Sequence, residues 1–205
     1  MPAATLSRTL DDNAVDEQLV RRARAGDTGA FETLVTRHRD VVLRVSARMV
    51  GKDDAADVAQ DAFLRAFHRL GAFRGEAPFR TWLLRIAHNS AVDALARTRR
   101  ERSLDDLDSE TEPEGGERGG QPALPAHRLE VKERRERLGS KLRMLSPAHR
   151  AVLVLRDLEG LTYEEIAEVT ASPLGSVKGR LHRARRELID LLRANTYDWE
   201  LPDGS

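Results

Sequence analysis

Apolar residues along this chain recur at spacings of three and four, and polar residues fill the positions between them. This periodicity predicts amphipathic helices, because residues three and four apart share one face of a helix. Between residues 15 and 102 the helices are separated by start and stop signals: Asp27 begins one helix, Gly51 ends it, and Asp53 or Asp54 begins the next. The sequence therefore predicts an all-α fold.

Three further helices are predicted between Leu145 and Leu192, and each has its own boundary signals. These are Ser146-Pro147 and Gly160 for the first helix, a capping box from Thr162 to Glu165 for the second, and Ser172-Pro173 for the third. A short middle helix followed by a long basic helix is typical of a helix-turn-helix, whose last helix enters the major groove of DNA. The C-terminal part is therefore predicted to be a helix-turn-helix.

The last helix of this motif has two different faces. Its apolar stripe consists of Leu174, Val177, Leu181, Ala184, Leu188, Leu191 and Leu192. The opposite face carries Gly175, Ser176, Gly179, His182, Arg183 and Arg186, with Lys178, Arg180 and Arg185 on the shoulders. Arginine and histidine donate hydrogen bonds to base edges, and the shoulder cations suit phosphates. A solvated basic face on an ordinary bundle helix is the alternative, but three capped helices in this order favour DNA binding.

Two glycines and a proline predict a loop over residues 71–78, and another helix follows it. Aromatic residues and arginines alternate in this segment, at Phe73, Arg74, Phe79, Arg80, Trp82 and Arg85. Aromatic rings stack on unpaired bases and arginines contact phosphates, so the segment fits single-stranded nucleic acid. The alternative is that the aromatic side chains belong to the core.

The helix before this loop is acidic on its outer surface. Asp57, Gln60 and Asp61 lie beside Phe63 and Leu64, and one helix does not easily bury both of these neighbouring apolar residues. An ordinary solvated face and a docking surface for a partner protein are both consistent with this pattern.

Three segments lack helical periodicity. Residues 1–14 are polar and are expected to form a disordered arm. Residues 103–127 carry seven acidic residues against a single arginine. They do not hold enough apolar surface to fold and should form a flexible acidic linker. Residues 195–205 form an acidic tail. The expected architecture is two small helical domains, at residues 15–102 and 128–194, joined by the linker.

The composition limits the chemistry that the chain can perform. It has 34 basic and 34 acidic residues, so a nucleic-acid site requires local segregation of charge. Cysteine is absent and the six histidines show no metal-ligand spacing, so neither a disulfide nor a metal centre is expected. Without an activated nucleophile, paired carboxylates or a phosphate-binding glycine loop, the chain is expected not to be an enzyme and to need no cofactor. No signal peptide and no apolar run of about 20 residues occur, so we expect a cytoplasmic protein that does not insert into membranes.

Four blocks of this sequence, in this order, resemble the extracytoplasmic-function (ECF) family of bacterial RNA polymerase sigma factors. The blocks are DEQLVRRARAGDTGAFETLVTRH, DAADVAQDAFLRAFHRL, FRGEAPFRTWLLRIAHNSAVDALARTRR and LTYEEIAEVTASPLGSVKGRLHRARREL. The resemblance implies that residues 15–102 are sigma domain 2, which docks on core polymerase and recognises the −10 promoter element. It implies that residues 128–194 are sigma domain 4, which reads the −35 element.

The resemblance also implies roles for individual residues. The polymerase-docking motif would consist of Asp57, Gln60, Asp61 and Phe63. The −10 element would be bound by Phe73, Arg74, Arg80, Trp82, Asn89, Asp93, Arg97 and Arg100. Among these, Asn89 would hold a base flipped out of the non-template strand. The −35 element would be read by Ser176, Lys178, Gly179, Arg180, His182, Arg183 and Arg186.

The partners that the resemblance implies are core RNA polymerase, promoter DNA and an anti-sigma factor. The polymerase would be contacted through its beta-prime clamp helices and its beta flap, and the acidic linker would thread its basic RNA path. A helix-turn-helix repressor with an N-terminal domain that dimerises or senses a ligand is the alternative from another class. It accounts for the last domain but not for an aromatic–arginine loop next to an acidic helix.

Overall fold

The computed structural model describes the backbone of residues 3–105 and 126–194, with side chains for residues 12–101, 134 and 136–194. These residues form eight α-helices and no strand, which agrees with the predicted fold class. The helices are α1 (Ala3–Arg24), α2 (Thr28–Val50), α3 (Ala55–Arg69), α4 (Phe79–Asp105), α5 (Ala126–Met144), α6 (Pro147–Leu153), α7 (Tyr163–Val169) and α8 (Leu174–Arg193). A 3₁₀ turn (Leu70–Ala72) follows α3, and α6 continues into one turn of π-helix (Val154–Leu158).

Most helix boundaries lie where the local sequence signals predict them. The Asp27 carboxylate accepts a hydrogen bond from the Ala30 amide at 3.0 Å and thereby caps α2. Gly51 ends the same helix with a φ of +108°, a conformation that side chains disfavour. Ser146 caps α6, with Pro147 in its first turn.

The capping box predicted for α7 is complete. The Glu165 amide donates to the Thr162 hydroxyl at 3.2 Å, and the Thr162 amide donates to the Glu165 carboxylate at 2.8 Å. Gly160 adopts a φ of +74° just before this box. The turn between the first two helices of the helix-turn-helix is therefore fixed by two short sequence signals.

Helix α1 is longer than its periodicity predicts. It begins at Ala3, so most of residues 1–14, expected to be a disordered arm, is helical. No glycine or proline interrupts this stretch, and helix-compatible residues extend a helix once one end is anchored. The anchor is the Asp16 carboxylate, which is hydrogen-bonded to His38 Nε2 (2.7 Å) and Arg37 Nε (2.9 Å) on α2. Burial raises the pKa of Asp16, but these two partners outweigh it and hold the pKa below its ordinary value.

The start of α8 also differs from the prediction. Ser172 does not cap the helix; Pro173 occupies the N-cap position. The Ser172 hydroxyl instead donates to the Thr170 carbonyl at 3.1 Å and accepts a hydrogen bond from Arg180 at 2.7 Å. Leu174 was placed in the apolar stripe but is 38% exposed, because it is the first residue of the helix and projects beyond the core.

The predicted linker, residues 103–127, is entered by helices from both ends. Helix α4 continues to Asp105, and α5 begins at Ala126. The centre of the linker and the tail at residues 195–205 lie outside the described residues, so their predicted flexibility stays a prediction.

The N-terminal domain is built from α2, α3 and α4, with α1 packed against α2. Its fully buried residues include Val42, Ala62, Ala66, Leu84, Ala87 and Ala91. Four of these are alanines, and their small side chains allow the three helix backbones to approach closely. The C-terminal domain has a second core, formed by Val152, Leu155, Leu161, Ile166, Val169, Val177, Leu181 and Ala184.

The two domains pack against each other around Arg150, a buried arginine on α6. Its guanidinium donates to three carbonyls in the last turn of α5 and just after it, those of Leu142 (2.9 Å), Arg143 (2.6 Å) and Leu145 (3.1 Å). A further hydrogen bond reaches the Met49 carbonyl in the last turn of α2, in the other domain. Burial, together with the charge of Arg143, lowers the pKa of Arg150. The guanidinium satisfies carbonyls at the C-terminal ends of two helices, where the helix dipole favours a cation.

Replacing Arg150 with methionine is expected to destabilise the protein, because the carbonyls around it would remain buried without donors. Hydrogen bonds to a charged group contribute substantially, so we expect the free energy of unfolding to fall by about 3 kcal/mol. Urea denaturation followed by circular dichroism measures the change. Arg85→Met, at an exposed position on α4, is the matched control. Equal losses in the two variants would contradict a stabilising role for the buried cation.

Candidate nucleic-acid interface

Helix α8 presents the residues predicted to read DNA on its outer face. Val177, Leu181 and Ala184 are buried and hold the opposite face against α6 and α7. The predicted reader residues Lys178, His182, Arg183 and Arg186 are exposed, whereas Ser176, Gly179 and Arg180 are half-buried. Within the described residues, no hydrogen bond or ion pair engages the four exposed side chains. They are therefore available to an external acceptor.

The cations beside this face are held by other parts of the domain. Arg185 makes two hydrogen bonds to the Asp157 carboxylate, one of them at 3.0 Å. Arg156 lies 4.8 Å from the centre of the Tyr163 ring, and Lys178 lies 5.9 Å from the same ring. The two hydrogen bonds of Arg185 join α8 to the turn that follows α6, whereas the Arg156 contact lies outside α8 and Lys178 remains exposed.

Gly179 keeps the centre of the outer face of α8 flat. A Cβ atom built at this position would lie 3.6 Å from Nη1 of Arg183, at ordinary contact distance. The Arg183 guanidinium therefore lies next to Gly179 on this face. This arrangement suits the closest point of a helix inserted in the major groove.

The aromatic residues of the loop before α4 form a compact cluster. The rings of Phe73, Phe79 and Trp82 have their centres 5.2–5.8 Å apart. Phe73 and Phe79 are buried (7% and 3% exposed), and Trp82 is half-buried. The structure thus places Phe73 in the core, as the alternative interpretation had it, and leaves Trp82 partly at the surface. Arg74 is exposed, with Nη1 3.8 Å from the Glu76 carboxylate.

The remaining residues predicted to bind the −10 element lie along α4. Asn89, Asp93, Arg97 and Arg100 are all exposed, on a helix whose inner face carries Leu83, Leu84, Ala87 and Ala91. The His88 side chain next to Asn89 is half-buried, and its Nδ1 lies 3.4 Å from the Asn89 carbonyl oxygen. Burial lowers the pKa of His88, and the contact with Asn89 only partly opposes this shift.

Arg65 connects the predicted docking helix to the predicted DNA-binding helix, a link that the sequence prediction missed. Its guanidinium contacts the Asp61 carboxylate on α3 at 2.9 Å and the Asp93 carboxylate on α4 at 2.7 Å. The spacing of four residues between Asp61 and Arg65 was readable from the sequence. The contact with Asp93, on a different helix, could be identified only from the structure.

The outer surface of α3 combines acidic and apolar side chains. Asp57 and Gln60 are exposed, and Asp61 and Phe63 are half-buried. Leu64 and Phe67 remain 53% and 48% exposed, so the helix indeed leaves apolar residues at the surface. A groove of about 440 Å³ lies between α2 and α3 and is lined mainly by Phe31, Val35, Leu43, Phe63, Leu64 and Phe67. Large exposed apolar residues in such a groove are typical of a protein-binding surface.

The helix-turn-helix packs on the start of α4. The Thr81 hydroxyl donates to Glu165 Oε1 at 3.3 Å, and Nη2 of Arg80 donates to the Glu159 carbonyl at 3.2 Å. Arg44 on α2 binds the Glu159 carboxylate through two hydrogen bonds of 3.0 and 3.1 Å. Part of the predicted −10 segment is therefore covered by the C-terminal domain in this arrangement.

The two helical domains and the basic face of α8 define a two-domain DNA-binding protein of the helix-turn-helix class. Two family models match, Sigma-70 region 2 over residues 34–101 and Sigma-70 region 4 over residues 135–188. The ECF RNA polymerase sigma-E factor of Escherichia coli K12 is 37% identical over 184 residues, which cover 88% of this chain and 95% of that protein. The RNA polymerase sigma-H factor of Pseudomonas aeruginosa is 39% identical over 178 residues, covering 85% and 92%.

A solved structure supports the same assignment. CnrH, in complex with the cytosolic domain of CnrY, superimposes with a TM-score of 0.62 at 33% identity and covers 88% of this chain and 99% of that chain. The chain therefore belongs to the ECF family of RNA polymerase sigma factors, which direct promoter-specific initiation of transcription. The resemblance seen in the sequence is confirmed, and the repressor alternative is not favoured. In the described part of the chain, no helix has the length and apolar character needed to cross a membrane.

The buried environment of His88 predicts a pH dependence of stability. Because its folded-state pKa lies below the ordinary 6.5, the unfolded chain binds a proton at a higher pH than the folded chain does. The free energy of unfolding should therefore decrease as the pH falls from 6.5 towards the folded-state pKa. Urea denaturation at pH 7.5 and 5.5 should show a smaller decrease for His88→Gln than for the unmodified protein. The exposed His182→Gln is the control, and an unaltered decrease in His88→Gln would contradict the prediction.

Proposed function

We propose that this sigma factor divides promoter recognition between its domains, with core RNA polymerase holding them at the required spacing. The N-terminal domain docks on the beta-prime clamp helices of the polymerase and holds unpaired bases of the −10 element. The C-terminal domain contacts the beta flap and reads the paired −35 element with α8. The protein performs no catalysis of its own, and it acts in the cytoplasm together with the polymerase.

The observation that carries this proposal is the exposed apolar groove between α2 and α3. A repressor that acted alone would have no need to leave Leu64 and Phe67 at the surface beside Asp57 and Gln60. The groove suits a helical partner with apolar and basic side chains. We assign this surface, including Asp61 and Phe63, to polymerase docking.

Specific side chains carry the two DNA contacts in this proposal. Asn89 binds a flipped base, which must first leave the stack at a cost of a few kcal/mol. Trp82 and the exposed Arg74, Arg97 and Arg100 hold the strand beside it, together with Asp93, while Phe73 supports the loop from below. On α8, Lys178, Gly179, His182 and Arg183 face the bases, and Ser176, Arg180 and Arg186 face the backbone.

The packed arrangement of the domains must open during this process. The two promoter elements lie several helical turns apart, and each turn spans about 34 Å. The chain between the end of α4 at Asp105 and the start of α5 at Ala126 spans at most about 70 Å when fully stretched, and the lengths of the two domains add to this reach. By this proposal, the acidic linker threads the basic RNA path of the polymerase when the domains part.

An anti-sigma factor is the further partner that we propose. CnrH, the structural relative described above, was solved with the cytosolic domain of CnrY. In this chain, the groove between α2 and α3 is exposed and is therefore also open to a protein that competes with polymerase.

Run-off transcription with purified core polymerase tests the proposed function. On a library of templates with randomised −35 and −10 elements, the chain should select a defined pair of elements. The free protein should bind a selected promoter duplex only weakly, because its net charge is zero and the domains are packed together. Fluorescence anisotropy with and without core enzyme measures this difference, and tight specific binding by the free protein would contradict the proposal.

A docking variant sharpens the same experiment. Leu64→Asp should abolish core binding and run-off transcription while leaving the fold intact, because it places a charge in the apolar groove. Met144→Asp introduces the same charge at a residue that is 61% exposed, outside the groove, and should retain activity.

Asn89→Ala is expected to impair open-complex formation more than initial promoter binding, because a base reaches Asn89 only after the strands separate. Permanganate footprinting of unpaired thymines measures opening, and anisotropy of the holoenzyme measures binding. Asn13→Ala, in α1, is the control. Equal losses in the two steps would show that Asn89 acts before melting.

A further inference from the structure

Two arginines from the N-terminal domain converge on a single carboxylate of the C-terminal domain. Arg44, on α2, donates from Nε and Nη2 to the two oxygens of Glu159 at 3.1 and 3.0 Å. Arg80, at the start of α4, places Nη2 3.7 Å from the same carboxylate and donates to the Glu159 carbonyl. The Glu159 side chain is only 5% exposed, whereas the side chains of Arg44 and Arg80 are 57% and 36% exposed.

This geometry is the one that proteins use for phosphate. A guanidinium that donates two parallel hydrogen bonds to a carboxylate can make the same pair of bonds to two phosphate oxygens. The two arginines are contributed by different helices of one packed core, so their backbone positions do not depend on the other domain. Glu159 belongs to the turn that follows the π-helix, and it leaves with the C-terminal domain. Asp40 on α2 also lies close enough to Arg44 to favour its charge.

The location links this cluster to promoter DNA. Arg80 belongs to the segment before Trp82 that is proposed to contact the −10 element, and Thr81 beside it is covered by Glu165. Arg44 lies in none of the segments that sequence reasoning assigned to DNA. Yet its guanidinium is directed at the same carboxylate as that of Arg80.

We propose that Arg44 and Arg80 form a binding site for a phosphate of the promoter DNA backbone, and that the Glu159 carboxylate occupies this site while the domains are packed together. The inference rests on the proposed function, because it requires that the domains separate on the promoter. DNA and Glu159 then compete for the same two guanidinium groups. A phosphate bound by the two arginines disfavours packing of the domains against each other. Packing of the domains in turn weakens DNA binding by the same free energy.

The competition makes a distinctive prediction for single substitutions. Glu159→Gln removes the competing charge and leaves both arginines, so DNA affinity should rise. Arg44→Gln also breaks the contact between the domains, but it removes half of the phosphate site. If the ion pairs served only to hold the domains together, both variants would raise DNA affinity, Glu159→Gln more strongly because it releases both arginines. If the arginines bind phosphate, only Glu159→Gln raises it.

The experiment uses the full chain and a fluorescent DNA duplex of arbitrary sequence that contains a single-stranded segment. Anisotropy is measured between 50 and 200 mM salt, since the slope of log affinity against log salt reports the number of phosphates contacted. Glu159→Gln should bind about fivefold more tightly than the unmodified chain and with a steeper salt slope. The matched control is Glu164→Gln, which makes the same charge change at an exposed position of α7 and should leave both quantities near those of the unmodified chain.

Three results would overturn the site: equal affinity of Glu159→Gln and Glu164→Gln, a gain in Arg44→Gln over the unmodified chain, or a gain that survives in the triple variant Glu159→Gln, Arg44→Gln, Arg80→Gln. If the double variant Glu159→Gln, Arg44→Gln loses the gain in DNA affinity that Glu159→Gln shows alone, this result would support the phosphate site. Circular dichroism confirms that each variant is folded. Run-off transcription with core polymerase distinguishes a failure of the phosphate site from a failure of the proposed sigma function. A chain that directs initiation without the expected affinity pattern contradicts only the phosphate site, whereas a chain that directs none contradicts the proposed function.

Discussion

A chain with as many acidic as basic residues attracts DNA only where some of its cations are kept away from its own carboxylates. The positions of the ion pairs within the structure meet this constraint. Arg185 is neutralised by Asp157, and Arg65 by Asp61 and Asp93. The outer face of α8 has no such partner among the described residues. Internal ion pairs therefore do more than hold helices together; they decide which cations of the chain stay unneutralised, and on α8 these include the exposed lysine and arginine side chains of its outer face.

Much of the fold was predictable because most helix boundaries are determined by short local sequence signals. The Asp27 cap, the Gly51 stop and the Thr162–Glu165 box each involve residues within a few positions of one another, and all three are present as predicted. The errors occurred where local signals gave way to tertiary contacts. Helix α1 extends back to Ala3 from an anchor on another helix, and the Ser172 hydroxyl is bound to Thr170 and Arg180 rather than to the helix start.

In the candidate site, too, features set by local sequence were predictable and features set by tertiary contacts were not. The exposed face of α8 follows from helical periodicity alone, and so does the exposure of Leu64 on α3. Periodicity does not reveal that Phe73 lies beneath Trp82, because loop residues have no fixed face. Nor does it reveal the contact between Arg44 and Glu159, since these residues are 115 positions apart and belong to different domains.

The two carboxylate oxygens of Glu165 accept hydrogen bonds from different domains. Oε2 accepts the Thr162 amide within the capping box, and Oε1 accepts the Thr81 hydroxyl of the other domain. In the domain separation proposed above, the first bond is kept, because it lies within one domain, and it holds the carboxylate in its rotamer. The side chain is thus pre-organised for reassociation, with little conformational entropy to lose on each return. Under that proposal, separation and rejoining of the domains need no local refolding of α7, whose capping box is complete within its own domain.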